Sequence, residues 1–210
     1  MKRNEIYCES TKFCHCTTAR ESRGLPKKYT FTYINEQLKI IYYDIPKCAS
    51  STIRSIFFNE SMSLANPQTD LKNYFKFTFC RNPFDRMVSN YSMFTQSNFR
   101  IKQIQQFHNN PRELSFLEFV KLTCQHTNHH WLPQYNFIHG YEIDHIGRLE
   151  NMKQDFYIVC DKAGISQQQL SQKNKTNHKR YTEYYDDETK EIVAEKYAKD
   201  IEYFGYEFGE

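Results

Sequence analysis

The sequence predicts an α/β domain with a mainly parallel central sheet. Two patterns carry that reading. A strand–turn–helix order occurs twice in succession within residues 38–95, and the run Leu-Lys-Ile-Ile-Tyr-Tyr-Asp-Ile at 38–45 is apolar on nearly consecutive positions, as a strand covered on both faces requires. Size adds a third constraint, because 210 residues supply one domain with a sizeable core and too little chain for two ordinary ones.

Each element follows from its residues. Residues 1–28 are polar, contain cysteines and end in Gly24-Leu25-Pro26, so they are expected to form an N-terminal extension ahead of a single domain at 29–210. Residues 29–34 (Tyr-Thr-Phe-Thr-Tyr-Ile) alternate and favour a strand, with Asn35-Glu36-Gln37 as the turn into 38–45. After Pro46 the spacing changes: Ile53, Ile56 and Phe57 recur at helical intervals behind small hydroxyl residues that suit a helix start. A strand is expected at 74–80, followed by a helix with Asn82 as cap and Pro83 in its first turn, running to about Thr95.

Further along, Ser115-Phe116-Leu117-Glu118 forms a capping box for a helix that places Phe116, Phe119, Val120 and Thr123 on one side. The loop from His126 to Gln134 carries three histidines and the single tryptophan. Glu150 to Ala163 is amphipathic and is ended by Gly164. A last helix is expected from about Asp186 or Asp187 to Phe204, stopped by Gly205.

Composition narrows the partners. A net charge of +3 is too mild for nucleic acid to be the default partner, and no run approaches the roughly 18 apolar residues of a membrane span. The opening Met1-Lys2-Arg3-Asn4-Glu5 leads into polar sequence and not into a signal-peptide segment, so the chain reads as soluble. Seven cysteines, an odd number without framework spacing, fit reduced thiols in a cytosol-like compartment. Cys8 with Cys14-His15-Cys16 is a conceivable metal cluster, but no second ligand pair follows at zinc spacing and no metal is expected.

The chemistry concentrates in Pro46-Lys47-Cys48-Ala49-Ser50-Ser51-Thr52, a segment joining a strand to a helix. Uncapped N–H groups and the positive dipole end of a helix attract an anion; the hydroxyls add donors and Lys47 adds a mobile charge. It is not the nucleotide-kinase loop of the G-x-x-x-x-G-K-[ST] form, since no glycine occurs between Lys39 and Ser61. A second segment, Cys80-Arg81-Asn82-Pro83-Phe84-Asp85-Arg86-Met87-Val88-Ser89, puts an arginine fork at a strand end and a hydroxyl two turns into the next helix. Two such grips suit a nucleotide carrying phosphates at both ends of its ribose.

Residues 46–52 resemble the 5′-phosphosulfate loop of sulfotransferases, and Arg81 to Ser89 resembles their 3′-phosphate motif. The likeness is to the carbohydrate sulfotransferases of the heparan-2-O, chondroitin/dermatan and HNK-1 type. It continues through His130-Trp131-Leu132-Pro133-Gln134, Asp144 to Met152, and Tyr197 to Tyr206. The resemblance implies a P-loop-like, three-layer α/β fold with helices flanking the sheet, 3′-phosphoadenosine-5′-phosphosulfate (PAPS) as donor, and a carbohydrate or glycoconjugate acceptor. Lys47, Cys48, Ala49, Ser50, Ser51 and Thr52 would then hold the 5′ end, and Arg81 and Ser89 the 3′-phosphate. The basic stretch at 173–180, read from its residues alone as an ordinary solvated loop, resembles the family's closing loop and would add Lys175, Thr176 and Lys179.

Sulfuryl transfer needs in-line geometry, charge stabilisation at the leaving oxygen and a base for the attacking hydroxyl. Lys47 suits the leaving oxygen. A base that titrates near neutrality points to histidine, with His130 favoured, His129 in reserve, and Trp131 as a stacking surface for a sugar or the adenine. Heparan-2-O enzymes carry their base between the two nucleotide motifs, and residues 53–80 contain no histidine. A non-catalytic nucleotide- or glycan-binding module of the same fold is the alternative, and an ATP-dependent kinase a further one. The absence of an anchor leads to the expectation of a microbial cytoplasmic enzyme, or else a Golgi-lumenal catalytic domain without its anchor.

Overall fold

The computed structural model describes residues 31–58, 71–167 and 179–210. The expected extension at 1–28, Cys8, Cys14 and Cys16, and the site residues Lys175 and Thr176 lie outside the described residues. In chain order the first elements are β1 (Phe31–Asn35), β2 (Ile40–Asp44), α1 (Ser50–Phe57), β3 (Phe75–Cys80), α2 (Pro83–Gln96) and α3 (Asn98–Ile104). They are followed by α4 (Phe116–Gln125), α5 (Tyr135–Ile138), β4 (His145–Arg148), α6 (Met152–Ala163), α7 (Asp187–Lys196) and α8 (Ala198–Phe204). The chain resolves into two compact units: a sheet unit (described residues 31–58, 71–81 and 134–167) and a helical unit (82–133 and 179–210).

In the sheet unit the strand order is β1-β2-β3-β4, with β1 antiparallel to β2 and the other neighbours parallel. The β1–β2 turn is shaped by Asn35, whose side-chain oxygen accepts the Leu38 N–H at 2.9 Å, and by Lys39 at φ 53. Every residue of β2 is buried, as its apolar run requires. Tyr42 stacks on Phe77, and Phe57 of α1 meets both Phe77 and Phe156 of α6, so α1 and α6 cover that face. Tyr43 points to the opposite face. Its ring there lies 4.6 Å from that of Tyr141, just beyond α5. Within this unit the sheet is thus the middle of three layers.

Strand β4 escapes a sequence reading because it has only four residues, one of them a glycine that weakens strand patterning. That glycine has a packing reason. Gly147 pairs with Phe79, and a Cβ added to it would fall 2.5 Å from the Phe79 ring, itself fully buried. Gly147→Ala is expected to lower stability by about 1–3 kcal/mol through overpacking, seen as a lower denaturant midpoint with an unchanged slope. An unchanged midpoint would show that the ring has room to move.

In the helical unit the expected caps are present. Asn82 accepts the Phe84 N–H at 3.0 Å ahead of Pro83, and Ser115 and Glu118 form the reciprocal box that opens α4. The core gathers Phe94, Phe119 and Trp131 with ring centroids 5.1–6.2 Å apart. The last helix departs from expectation: it breaks at Tyr197 (φ −110, ψ 24) into α7 and α8, and Gly205 at φ 65 ends the second. The break has a physical cause. Tyr197 is fully buried and donates its hydroxyl to the Trp131 carbonyl at 2.9 Å, while Lys196 Nζ donates to the Thr123 carbonyl at 2.8 Å, so tertiary bonds fix the chain where a straight helix would continue.

Candidate functional site

The loop after β2 is built from turns that its residue types do not favour. The Cys48 N–H returns to the Ile45 carbonyl at 3.2 Å, closing a β-turn with Pro46 at its second position and Lys47 at its third. Lys47 has φ 73, the positive value that a type II turn needs at that place and normally takes from glycine. Ala49 follows at φ 62 and forms the N-cap of α1. Left-handed non-glycine residues cost roughly 1–2 kcal/mol each and gather at ligand clamps. Among the described residues only one other non-glycine, Lys39 in the hairpin turn, has positive φ.

Alanine has no side-chain oxygen, so α1 begins without a side-chain cap. The Thr52 and Ile53 N–H groups bond to the Ala49 carbonyl. The backbone donors of Ser50 and Ser51 precede those first helical bonds, at the dipole's positive end. Around them, Ser51 is exposed and Lys47 and Thr52 are half-buried. Ser50 behaves differently from its neighbours. Its hydroxyl donates to the Asp44 carboxylate, which also accepts from the Tyr42 hydroxyl at 3.1 Å and faces Arg54 Nε at 3.9 Å. Burial pushes the Asp44 carboxyl up, against the opposing pull of Ser50, Arg54 and Tyr42. With its one proton committed to Asp44, Ser50 anchors the helix start, and its backbone N–H sits at the positive end of the helix dipole.

Arg81 directly follows β3 beside this loop, its guanidinium Nη1 donating to the Lys47 carbonyl at 3.4 Å. Gln134 ties its backbone: the Arg81 N–H donates to Gln134 Oε1 at 3.0 Å, and Gln134 Nε2 donates to the Arg81 carbonyl at 2.8 Å. In the helical unit, Ser89 lies two turns into α2 and is 7% exposed, and Lys179 is exposed ahead of a 3-10 helix at Tyr181–Tyr184. His130 is buried. Its backbone N–H and ring Nδ1 both meet Asn128 Oδ1, at 3.0 and 2.9 Å. An amide oxygen only accepts, so Nδ1 carries a proton. The His129 ring is 3.9 Å from that of His130, and burial, then Arg100 and Arg86, push its pKa down to about 4, so it is neutral near pH 7.

Residues 55–207 match the sulfotransferase family profile, well over half of the chain. The chain belongs to the sulfotransferase family. The matched span takes in Arg81, Ser89, His129 and His130 of this chain and opens just after its Lys47 loop. The chain is similar to carbohydrate sulfotransferase 11 of Mus musculus and of Rattus norvegicus, each 27% identical over 221 residues that cover 79% of this chain and 62% of that protein. It is also similar to carbohydrate sulfotransferase 14 of Danio rerio, 24% identical over 225 residues, 82% of this chain and 61% of that one. The chain therefore spans about three-fifths of the length of these relatives. All three are animal proteins, and none supports the expected microbial source. No solved structure matches this chain.

The structure brings Lys47 to Thr52 and Arg81 together within the sheet unit. Ser89, His129, His130 and Lys179 are positioned in the helical unit. Trp131 is corrected: at 1% exposure, with Nε1 donating to the His126 carbonyl at 2.6 Å, it is a core residue and offers no face to a sugar or adenine. Asp44, Arg54 and Gln134 were absent from the sequence-derived site. A carboxylate closing an otherwise apolar strand was the available signal for Asp44; Gln134 closes the motif that begins at His130, but nothing in that motif announced its contacts with Arg81 and Cys48. No described helix is long and apolar enough to cross a membrane, and among the described residues no group of three His, Cys, Asp or Glu side chains is arranged for a metal ion.

Proposed function

We propose that this chain transfers a sulfuryl group from PAPS to a hydroxyl of a carbohydrate or glycoconjugate. The observation that carries the reading is the loop at 46–52: in a member of the sulfotransferase family, two left-handed non-glycine residues, Lys47 and the alanine cap Ala49, open a helix start, with Arg81 bonded to the loop. Such strain is maintained where a ligand needs the backbone. The fit to an anion rests on donor chemistry, since backbone N–H groups, an ammonium and a guanidinium supply charge and hydrogen bonds together.

PAPS supplies an activated sulfur–oxygen bond. The acceptor oxygen forms a bond to sulfur, the bond from sulfur to the phosphate oxygen breaks, and 3′-phosphoadenosine-5′-phosphate leaves with the electron pair. Lys47 donates to the oxygen on which that charge grows. Loop N–H groups with Ser51 and Thr52 hold the 5′ end, and Arg81 with Ser89 holds the 3′-phosphate; Lys175, Thr176 and Lys179 extend this grip. His130 Nε2 takes the acceptor proton, with His129 the alternative base.

His130→Gln is expected to lower turnover by about 10²-fold or more while the affinity for 3′-phosphoadenosine-5′-phosphate stays within about twofold. The acid limb of kcat/KM separates the two histidines, because a limb near pH 4 would assign the base to His129. The reading as a whole is tested by titrating the chain with 3′-phosphoadenosine-5′-phosphate and with ATP–Mg²⁺, then screening carbohydrates with radiolabelled PAPS. Binding of the first nucleotide together with labelled product is expected. Selective ATP–Mg²⁺ binding, or nucleotide binding without product on any acceptor, would replace the reading.

A further inference from the structure

The motif His130 to Gln134 contributes a base candidate at one end; its other end has a different use. Gln134 is 0% exposed and precedes α5, yet its side chain makes no bond to that helix start. It turns instead to two separate segments. Toward Arg81 it pairs with both backbone groups, N–H and C=O, in the manner of an added strand at the carboxyl end of β3. Toward the loop, its Oε1 lies 3.2 Å from Cys48 Sγ. One amide therefore touches both phosphate-binding segments, from 53 residues beyond Arg81 and 86 beyond Cys48.

The two bonds to Arg81 fix which amide atom faces which way. A backbone N–H must meet the oxygen and a backbone C=O must meet the nitrogen. The atom beside Cys48 is then an acceptor, so the sulfur must donate, and Cys48 is held as a neutral thiol. A thiolate there would face the Oε1 lone pairs and also place negative charge inside an anion loop. Sγ lies 3.8 Å from the Pro46 carbonyl as well, a second acceptor that favours the protonated form.

We infer that Gln134 is a positioning residue of the nucleotide site, locking the Arg81 backbone to the Lys47 loop through Cys48 and keeping that loop's sulfur neutral. This rests on the proposed reading of the loop as the donor's 5′ grip. Gln134 touches no reacting atom. It acts through where Arg81 projects its fork and where the Cys48 N–H turn sits, and so it belongs to nucleotide affinity and not to proton transfer.

Two variants test this. Gln134→Met conserves volume and removes all three bonds. Gln134→Glu keeps an acceptor for the Arg81 N–H but, when ionised, sets a carboxylate oxygen against the Arg81 carbonyl. Protonation of Glu restores a donor there, and burial raises the pH at which that happens. Titrations use 3′-phosphoadenosine-5′-phosphate at pH 8 and pH 6, with circular dichroism and melting followed on the same samples. Gln134→Met is expected to weaken binding about 10-fold or more at both pH values. Gln134→Glu is expected to weaken it comparably at pH 8 and to recover to within about threefold of the parent at pH 6, while the acceptor KM stays unchanged in both. Parent-like binding by folded Gln134→Met, or no pH recovery in folded Gln134→Glu, overturns the inference alone. Failure of the parent chain to bind this nucleotide overturns the reading beneath it as well.

Discussion

Lys47→Gly is expected to yield a folded chain with sulfate transfer reduced by about 10³-fold or more, read as labelled sulfate passed from PAPS to a carbohydrate acceptor. Glycine is the informative substitution here. Lys47 sits at φ 73 in a turn that prefers glycine, so removing its side chain relieves backbone strain instead of adding it. Alanine would leave the left-handed penalty in place and mix a conformational effect with a chemical one. The melting temperature of the glycine variant is therefore expected to match or slightly exceed that of the parent.

The split between binding and turnover carries the mechanism. In the proposed site the desulfated nucleotide still has the loop N–H groups and Arg81 to meet, so its affinity is expected to fall by no more than about 10-fold. If Lys47 acts as proposed, the ammonium contributes most where charge grows on the leaving oxygen, and its loss belongs in kcat. Lys47→Arg keeps a charge but replaces a compact ammonium with a planar fork, and only partial activity is expected. Full turnover by the glycine variant would remove Lys47 from the chemistry and leave the loop as a binding device.

The elements legible in the sequence are those whose ends are marked by side chains: α2 by Asn82 and Pro83, α4 by Ser115 and Glu118, α6 by Gly164. β4, α3 and α5 were not read, because four to seven residues are too few for periodicity to rise above chance. The loop at 46–52 was legible by residue type, but its geometry was not: nothing about lysine or alanine announces a positive φ. Ser50 reads by residue type as a hydroxyl donor, and its bond to Asp44 has no local signature. Trp131 illustrates the same limit, since an aromatic beside a candidate base reads equally as platform or as core, and burial decided for core. Contacts made by Gln134, Arg86 and Asn90 across 40 to 86 residues depend on the fold and have no local signature.

Arg86 carries the second large effect. It is 0% exposed, and its guanidinium spans two carbonyls of the histidine loop, Nη1 to Leu132 at 2.8 Å and Nη2 to His130 at 3.0 Å. Asn90 supports the same loop through a 2.9 Å bond from Nδ2 to the His130 carbonyl. Arg86→Met keeps most of the buried stem volume and removes the fork. The His130 carbonyl then retains Asn90, while the Leu132 carbonyl loses the donor that Arg86 supplies. Removing the cation also removes the cost of holding it away from water, which offsets part of the loss. The net is expected to be a destabilisation of about 2–4 kcal/mol in denaturant unfolding.

A second readout separates packing from electrostatics. Arg86 is one of the charges that hold the His129 pKa near 4, after burial and Arg100. Losing that charge should move the His129 titration upward, visible by NMR. The sign on stability follows. A histidine whose folded pKa lies below its unfolded value keeps its full contribution above about pH 6.5, and the contribution fades as pH falls toward the folded pKa. Raising the folded pKa narrows that window, so the gap between parent and Arg86→Met should shrink as pH falls from about 6.5 toward 4, by on the order of 1 kcal/mol or less. An unchanged unfolding midpoint would mean that Asn90 alone holds the loop. A midpoint lowered equally at every pH would leave Arg86 as a clamp without electrostatic reach to His129.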